Sequence, residues 1–246
     1  LIKLATPTDE HRPFHDPHAV ELAMKLTSEY DPDILVVGSD GVDFYSISKF
    51  EKIPNFIKGG LNSEVESWIE GQKEWRDAAP NARRKWIIGN HEFRLERFLR
   101  NHPELYDLEI LRMSEILKLD MLGIEDCDYE VVVENTLLVT HGTRVSKHSA
   151  YTARAEAENQ KFSINTLTGH THRGGLYITR TRKGIVQAAE GFCLCSLEPE
   201  YVRNPDWQQG IVFSNVENGV VSHELIPFHS KGKHRFAYWR GKEYRV

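Results

Sequence analysis

Four consecutive apolar residues, Ile34-Leu35-Val36-Val37, place the tightest constraint on what this chain can become. A strand with one wet face alternates apolar and polar side chains, so an unbroken run of this kind must be covered on both faces, as in a parallel sheet. The upstream sequence agrees. Asp16-Pro17 supplies a helix cap and a first-turn proline. Val20, Leu22, Ala23, Leu26 and Tyr30 then form one helical stripe that stops at Asp31-Pro32. With the apolar strand Ile2 to Ala5 before it, this predicts a βαβ start, whose ligand crevice lies at the carboxyl ends of the strands.

Those ends carry the polar chemistry. The first strand runs into Thr6-Pro7-Thr8-Asp9-Glu10-His11, where Asp9 and His11, two apart, face the same way in an extended segment. The Ile34 run ends in Gly38-Ser39-Asp40-Gly41-Val42-Asp43. Trp86-Ile87-Ile88-Gly89 delivers Asn90-His91-Glu92 to the mouth of a helix predicted over 92–101, which carries Arg94 and Arg97. A hairpin, Tyr129 to Val133 and Thr136 to Thr140 across Glu134-Asn135, ends at His141-Gly142. Ile164 to Thr168 leads into Gly169-His170-Thr171-His172-Arg173. Each has a bland alternative: Asn90 as a helix cap, Asp40 as a turn former, the histidines as surface residues. Five strand ends with the same residue types are another matter. Oxygen and imidazole donors without thiolates suit Mn, Fe or Zn in a hydrolytic site, and each buried Asp or His would otherwise need its own partner.

At 246 residues the chain is long enough for one substantial core, and its 40% hydrophobic and 27% charged residues are those of a globular protein. We read one domain over 1–228 and a basic-aromatic tail over 229–246. No apolar run approaches the roughly 20 residues of a membrane span and no signal peptide is visible, so the expectation is a cytoplasmic protein without membrane contact. A net charge of −5 argues against a general duplex-DNA coat. Three cysteines make no disulfide framework. Cys193 and Cys195, two apart, read as core thiols in a reducing compartment. The segment 104–123 reads as a helical, leucine-rich packing element, and 44–60 as a loop on the rim of the crevice.

In their order, Asp9-x-His11, Asp40-x-x-Asp43, Gly89-Asn90-His91-Glu92, His141-Gly142 and Gly169-His170-Thr171-His172 resemble the motifs of the calcineurin-like metallophosphoesterases. That family includes double-strand-break repair nucleases and the purple acid and protein phosphatases. Asp43-Phe44-Tyr45-Ser46 and Arg94-Leu95-Glu96-Arg97 look most like a bacterial and phage branch. The resemblance spans about residues 1–226 and implies a four-layer αββα sandwich of two mixed sheets with flanking helices. It implies two divalent ions, Mn first and Fe or Zn as alternatives. Asp9, His11 and His172 would hold one, Asn90, His141 and His170 the other, and Asp40 would bridge them. His91 would be the general acid or transition-state stabiliser rather than a ligand. The implied reaction is hydrolysis of a phosphate ester by in-line attack of a hydroxide shared by the ions. One position departs from the family, which has glycine where Ser39 stands; the turn there is expected to differ while Asp40 keeps its role.

Around these motifs Arg94, Arg144, Lys147, His148 and Arg173 are candidates to clamp phosphate oxygens, although Arg94 or Arg97 can equally pair with Glu96 or Glu92. Asp43 is either a support for a histidine ligand or a turn residue. The first substrate reading is a phosphodiesterase on nucleic acid or nucleotides. It draws on the tail, where six Lys/Arg stand against one acidic residue among Phe236, Tyr238, Trp239 and Tyr244, a composition suited to single strands; a terminal strand packing its aromatics on the sheet accounts for it equally well. The second is a phosphomonoesterase acting on a metabolite or phosphoprotein, and the third a non-catalytic interaction module on the same fold.

Overall fold

All five residues of Ile34–Gly38 are buried, as the unbroken apolar run requires. The structure, a computed structural model, describes residues 1–52, 58–199 and 204–246. In chain order it forms β1 (Ile2–Thr6), α1 (Pro17–Tyr30), β2 (Ile34–Gly38), α2 (Gly60–Ala78), β3 (Arg83–Ile87) and α3 (Phe93–Arg100). Three one-turn helices follow, α4 (Pro103–Tyr106), α5 (Met113–Ile116) and α6 (Leu119–Leu122), then β4 (Ile124–Asp126), β5 (Glu130–Val133), β6 (Leu137–Thr140) and α7 (Tyr151–Asn159). The remainder is β: β7 (Asn165–Thr168), β8 (Gly174–Thr181), β9 (Gly184–Gly191), β10 (Gly210–Glu217), β11 (Val220–Pro227), β12 (His229–Lys231), β13 (His234–Trp239) and β14 (Lys242–Arg245).

Two mixed sheets lie face to face. One has the order β11-β10-β1-β2-β3-β4, with β1 to β4 parallel and β10 antiparallel to β1. The other has the order β5-β6-β7-β9-β8, with β6, β7 and β9 parallel. The twofold alternation of a strand divides β2 between two cores. Ile34 and Val36 join Leu4, Ile87, Val139, Leu167 and Val212 between the sheets. Leu35 and Val37 face Leu22, Leu26, Trp68 and Trp75 of the helical layer formed by α1 and α2. On the far side Ala153 and Ala157 of α7 pack on Ala188 of β9. The result is the four-layer αββα arrangement.

Local chemistry accounts for most boundaries. Asp16 caps α1 by accepting from the amides of His18 and Ala19, and Asp31 closes the helix in the left-handed region at φ 50°. The β5–β6 hairpin turns at Glu134 and Asn135, both at positive φ, the twist a tight hairpin prefers. The segment 104–123 is helical as expected, in short pieces. It breaks into α4, a 3₁₀ turn at Glu109–Leu111, α5 and α6, with Lys118 left-handed at φ 56°. Leu117, Leu119 and Leu122 reach the core while Leu108 and Ile110 stay exposed. Of the loop expected over 44–60, residues 53–57 lie outside the described residues.

The segment after Pro227 forms the three-stranded antiparallel sheet β12-β13-β14 against α1 and β11. Trp239 and Tyr244 are buried in the core beside the stacked pair Tyr30 and Phe213. Arg235 pairs with Asp16 and Lys242 with Glu29, whereas Tyr238 is exposed. Among the described residues, no helix is long and apolar enough to cross a membrane.

Candidate metal centre

The carboxyl ends of β1, β2, β3, β6 and β7 meet at one crevice between the sheets. In the loops leaving them Asp9, His11, Ser39, Asp40, His170 and His172 adopt positive φ, between 51° and 73°, a region non-glycine residues enter uncommonly. Backbone bonds lock the loops together: the amide of Asp9 donates to Ser39 O and that of His11 to Asp40 O. Two glycines permit the approach. A Cβ on Gly89 would strike the Asp40 carboxylate, and one on Gly169 would strike Asp9 and the Ser39 hydroxyl.

Within this frame the seven donors expected from the sequence come together. His11 Nε2 lies 3.0 Å from His172 Nε2, which is 3.3 Å from Asp9 Oδ1. His141 Nε2 lies 2.9 Å from Asn90 Oδ1, 3.1 Å from His170 Nδ1 and 3.3 Å from Asp40 Oδ2. Asp40 Oδ2 is also 4.0 Å from His11 Nε2. Four donor groups among the described residues are compact enough to hold a cation: Asp9 with His11 and Asp40, Asp40 with His141 and His170, His11 with His172 and Cys195, and His11 with Asp43 and His91. Asp40 belongs to the first two.

The donor set fits divalent metal ions. The amide of His170 donates to Asp9 and that of His91 to Asp40 Oδ1, while Asp40 Oδ2, Asn90 Oδ1 and the ring nitrogens of His141 and His170 converge on one another, an arrangement that a cation stabilises. Burial, then the charge of Asp9, pushes the Asp40 carboxyl up to about 8, so the two carboxylates carry their full charge only with positive charge between them. Asp9 itself is held below the usual range, because the charge and hydrogen bond of His172, then His141 and His11, outweigh its burial. Burial lowers His141 to about 3, and burial followed by the neighbouring His91 lowers His11 to about 3, so both are neutral imidazoles as metal ligation requires. Burial works against a proton on His172, but Asp9 and then Cys195 raise it to about 10.

Supporting residues fix which ring nitrogen faces inward. Asp43 Oδ2 lies 3.1 Å from His11 Nδ1, which leaves Nε2 for the centre. Ser39 Oγ lies 2.9 Å from His141 Nδ1 and does the same there. Ser39 thus accommodates the turn at φ 54° and adds a hydroxyl that glycine would lack. Cys195 Sγ stands 3.9 Å behind His172 Nδ1. Asp43 is a support rather than a turn residue alone, and it serves a second histidine as well. Its Oδ2 lies 3.0 Å from His91 Nδ1, while Oδ1 accepts from Arg94 Nη1 at 2.7 Å. Arg94 Nη2 lies 3.0 Å from His91 Nε2, so His91 borders the centre without joining either Asp40 group.

Of the remaining basic candidates, Arg173, Arg144 and His148 have partners outside the donor groups. Arg173 is buried and ties down the 146–147 loop, donating to the carbonyls of Ser146 and Lys147 and pairing with Asp206. Arg144 donates to Asn159 on α7, and His148 stands edge-on to Tyr151.

Sequence reasoning missed Glu92, which it took for a helix-surface partner of arginines. Glu92 is fully buried, and its carboxylate accepts from the amides of Gly89, Asp40, Gly41 and Val42 at 2.7 to 3.3 Å. It clamps the Asp40 turn to the His91 turn. Burial, then the charge of Asp40, raises its pKa to about 8. Its position three residues after Gly89, at a helix mouth, was the available signal. Ser39 as a support and Trp207, whose ring meets His172 edge-on at 4.1 Å, were missed too.

No protein-family model and no curated protein matches this chain. Among solved structures it is similar to a single mutant of Vps29 from Entamoeba histolytica, at 13% identity and a TM-score of 0.44 over 100% of this chain and 98% of that one. Vps29 from Chaetomium thermophilum aligns at 8% identity and a TM-score of 0.47, over 100% of this chain and 97% of that one. Wild-type Vps29 from Entamoeba histolytica, complexed with zinc, aligns at 17% identity and a TM-score of 0.32, over 87% of this chain and 97% of that one. With TM-scores below 0.5, none of the three bears on what this chain does.

Proposed function

We propose that this chain is a calcineurin-like metallophosphoesterase that binds two divalent cations, Mn²⁺ first among them, and hydrolyses phosphodiesters of nucleotides or nucleic acid. The observation that carries the reading is Asp40, shared by two compact groups of oxygen and imidazole donors whose other ring nitrogens are held by Asp43 and Ser39. Asp9, His11 and His172 would hold one cation and Asn90, His141 and His170 the other. Two such cations, when bound, supply an activated water and positive charge for the attacking and leaving oxygens of an in-line displacement. His91 is tethered to Asp43 through Nδ1 and its Nε2 accepts from Arg94 Nη2; to serve as general acid it would take a proton on Nε2 and turn that nitrogen from Arg94 to the leaving oxygen. General acid catalysis from such a position is typically worth about 10²–10⁴-fold.

The test is turnover by metal-stripped protein reloaded with Mn²⁺ on bis(p-nitrophenyl) phosphate and on p-nitrophenyl phosphate, with Asp40→Asn as the blank. Metal-dependent turnover that favours the diester and vanishes in the variant is the expected result. Preference for the monoester would move the reading to a phosphomonoesterase. No turnover of either, with two ions bound, would turn it to a non-catalytic binding module.

A further inference from the structure

Two cavities open beside the centre, one on each side of Asp43 and Tyr45, which line both. The larger, of about 390 Å³, holds Asn90, His91 and Arg94. The smaller, of about 240 Å³, is reached past His11 and is walled by aromatic rings, Phe14, Tyr45 and Trp207. Phe14 and Tyr45 stand edge to face at 5.6 Å, and Trp207 is braced on His172. Ligand pockets run to roughly 300–1,000 Å³, so the smaller cavity has room for one planar ring system and not for an oligonucleotide. Aromatic walls bind such a ring by stacking.

We propose that the cavity beside Trp207 takes the nucleobase of a phosphodiester, on the arm that keeps the phosphate, while the other arm leaves past His91 and Arg94. The inference rests on the phosphodiesterase reading above. A diester has two organic arms and the centre has two cavities; a monoester would use one. The assignment of arms follows from His91, since the leaving oxygen is the atom that needs a proton. In the reaction the P–O bond to the departing arm breaks and a P–O bond to the oxygen of water forms. One proton of that water ends on the departing hydroxyl and the other is released from the new phosphate monoester. The product that remains beside Trp207 is a nucleoside monophosphate.

Two measurements test this. Trp68, Trp75, Trp86 and Trp239 are buried and Trp207 is partly open, so an added nucleoside reports on Trp207. Thymidine is expected to quench the fluorescence of metal-stripped protein saturably, inorganic phosphate is not, and Trp207→Leu should lose the response. The second compares thymidine 5′-(p-nitrophenyl phosphate) with methyl p-nitrophenyl phosphate in Mn²⁺-loaded protein. Trp207→Leu should lower the ratio of their kcat/KM values about tenfold, the order of one base–aromatic stack. Damage to the metal centre through His172 scales both esters and leaves that ratio intact. An unchanged ratio, or no quenching by thymidine, overturns the nucleobase cavity while the phosphodiesterase reading stands. Saturable quenching without turnover of either ester keeps the cavity and removes the phosphodiesterase.

Discussion

Around Asp9, His11 and His172 the centre is closed and its supports carry charge or polarisable sulfur. All three residues are buried, Asp43 backs His11 with a carboxylate, and Cys195 stands behind His172. Around Asn90, His141 and His170 it is more open and the support is neutral. Asn90 is exposed, His170 is half-buried, and His141 leans on the hydroxyl of Ser39. A carboxylate behind an imidazole makes it a stronger base than a hydroxyl does. The two halves share Asp40 but should hold their ions unequally, tightly on the His11 side and exchangeably on the His141 side. The larger cavity joins the two sides, since it is bordered by Asn90 of the open side and by His91, whose ring meets His11 of the closed side at 4.3 Å.

His91 is the sharpest way to separate chemistry from metal holding, because it touches the supports of one half without belonging to either. His91→Ala should lower diester turnover by about 10²–10⁴-fold with two ions still bound per chain by elemental analysis. Loss of an ion would make His91 a ligand and undo the division into halves. A buried histidine outside the centre gives the baseline. His223 on β11 is backed by Ser214 Oγ at 2.8 Å, its Nε2 has no partner among the described residues, and burial lowers it to about 4. Its folded pKa lies below the unfolded value of about 6.5, so the unfolded chain binds more protons between those values. Stability is therefore full above pH 6.5 and falls as pH drops toward 4. The loss from this residue is at most about 3 kcal/mol, at 1.36 kcal/mol per pH unit. His223→Gln, which keeps a partner for Ser214 but takes up no proton, should flatten that limb in urea titrations at pH 7 and pH 4.5. An unaltered pH dependence would mean that burial alone does not depress a histidine in this fold.

The contrast between His223 and His141 also explains how much was legible in the sequence. Ile34 to Val37 announced a strand covered on both faces, and Asp16 and Asp31 marked the ends of α1 by local chemistry that the tertiary structure keeps. The seven donors were legible because they recur at strand ends in a fixed order. Their supports were not. Ser39, Glu92, Cys195 and Trp207 act on residues distant in the chain, as Glu92 does on the amides of Asp40, Gly41 and Val42. No spacing rule reports a contact of that kind. The helical packing element read over 104–123 is present, but its division into α4, a 3₁₀ turn, α5 and α6 is not reported by the local period of its leucines. Arg173 reads as a phosphate clamp by its place after His172; its two Nη atoms bond Asp206 and two loop carbonyls, while its Nε has no partner among the described residues.

The inequality of the halves is tested by weakening one support at a time and titrating metal-stripped protein with Mn²⁺ in a calorimeter. Wild-type protein should bind in two steps. Asp43→Asn removes the carboxylate behind His11 and should weaken the tighter step by about 10–100-fold, the usual cost of losing a hydrogen-bonded support. Ser39→Ala removes only a neutral hydroxyl, so it should weaken the looser step by about tenfold, the lower end of the same range, and leave the tighter step alone. Ser39→Gly separates the two jobs of that residue, since glycine relieves the left-handed backbone at φ 54° while deleting the hydroxyl. If the hydroxyl matters for His141, alanine and glycine should weaken the looser step equally. If glycine restores it, Ser39 is there for the turn, and the openness of the His141 side comes from Asn90 and His170 alone.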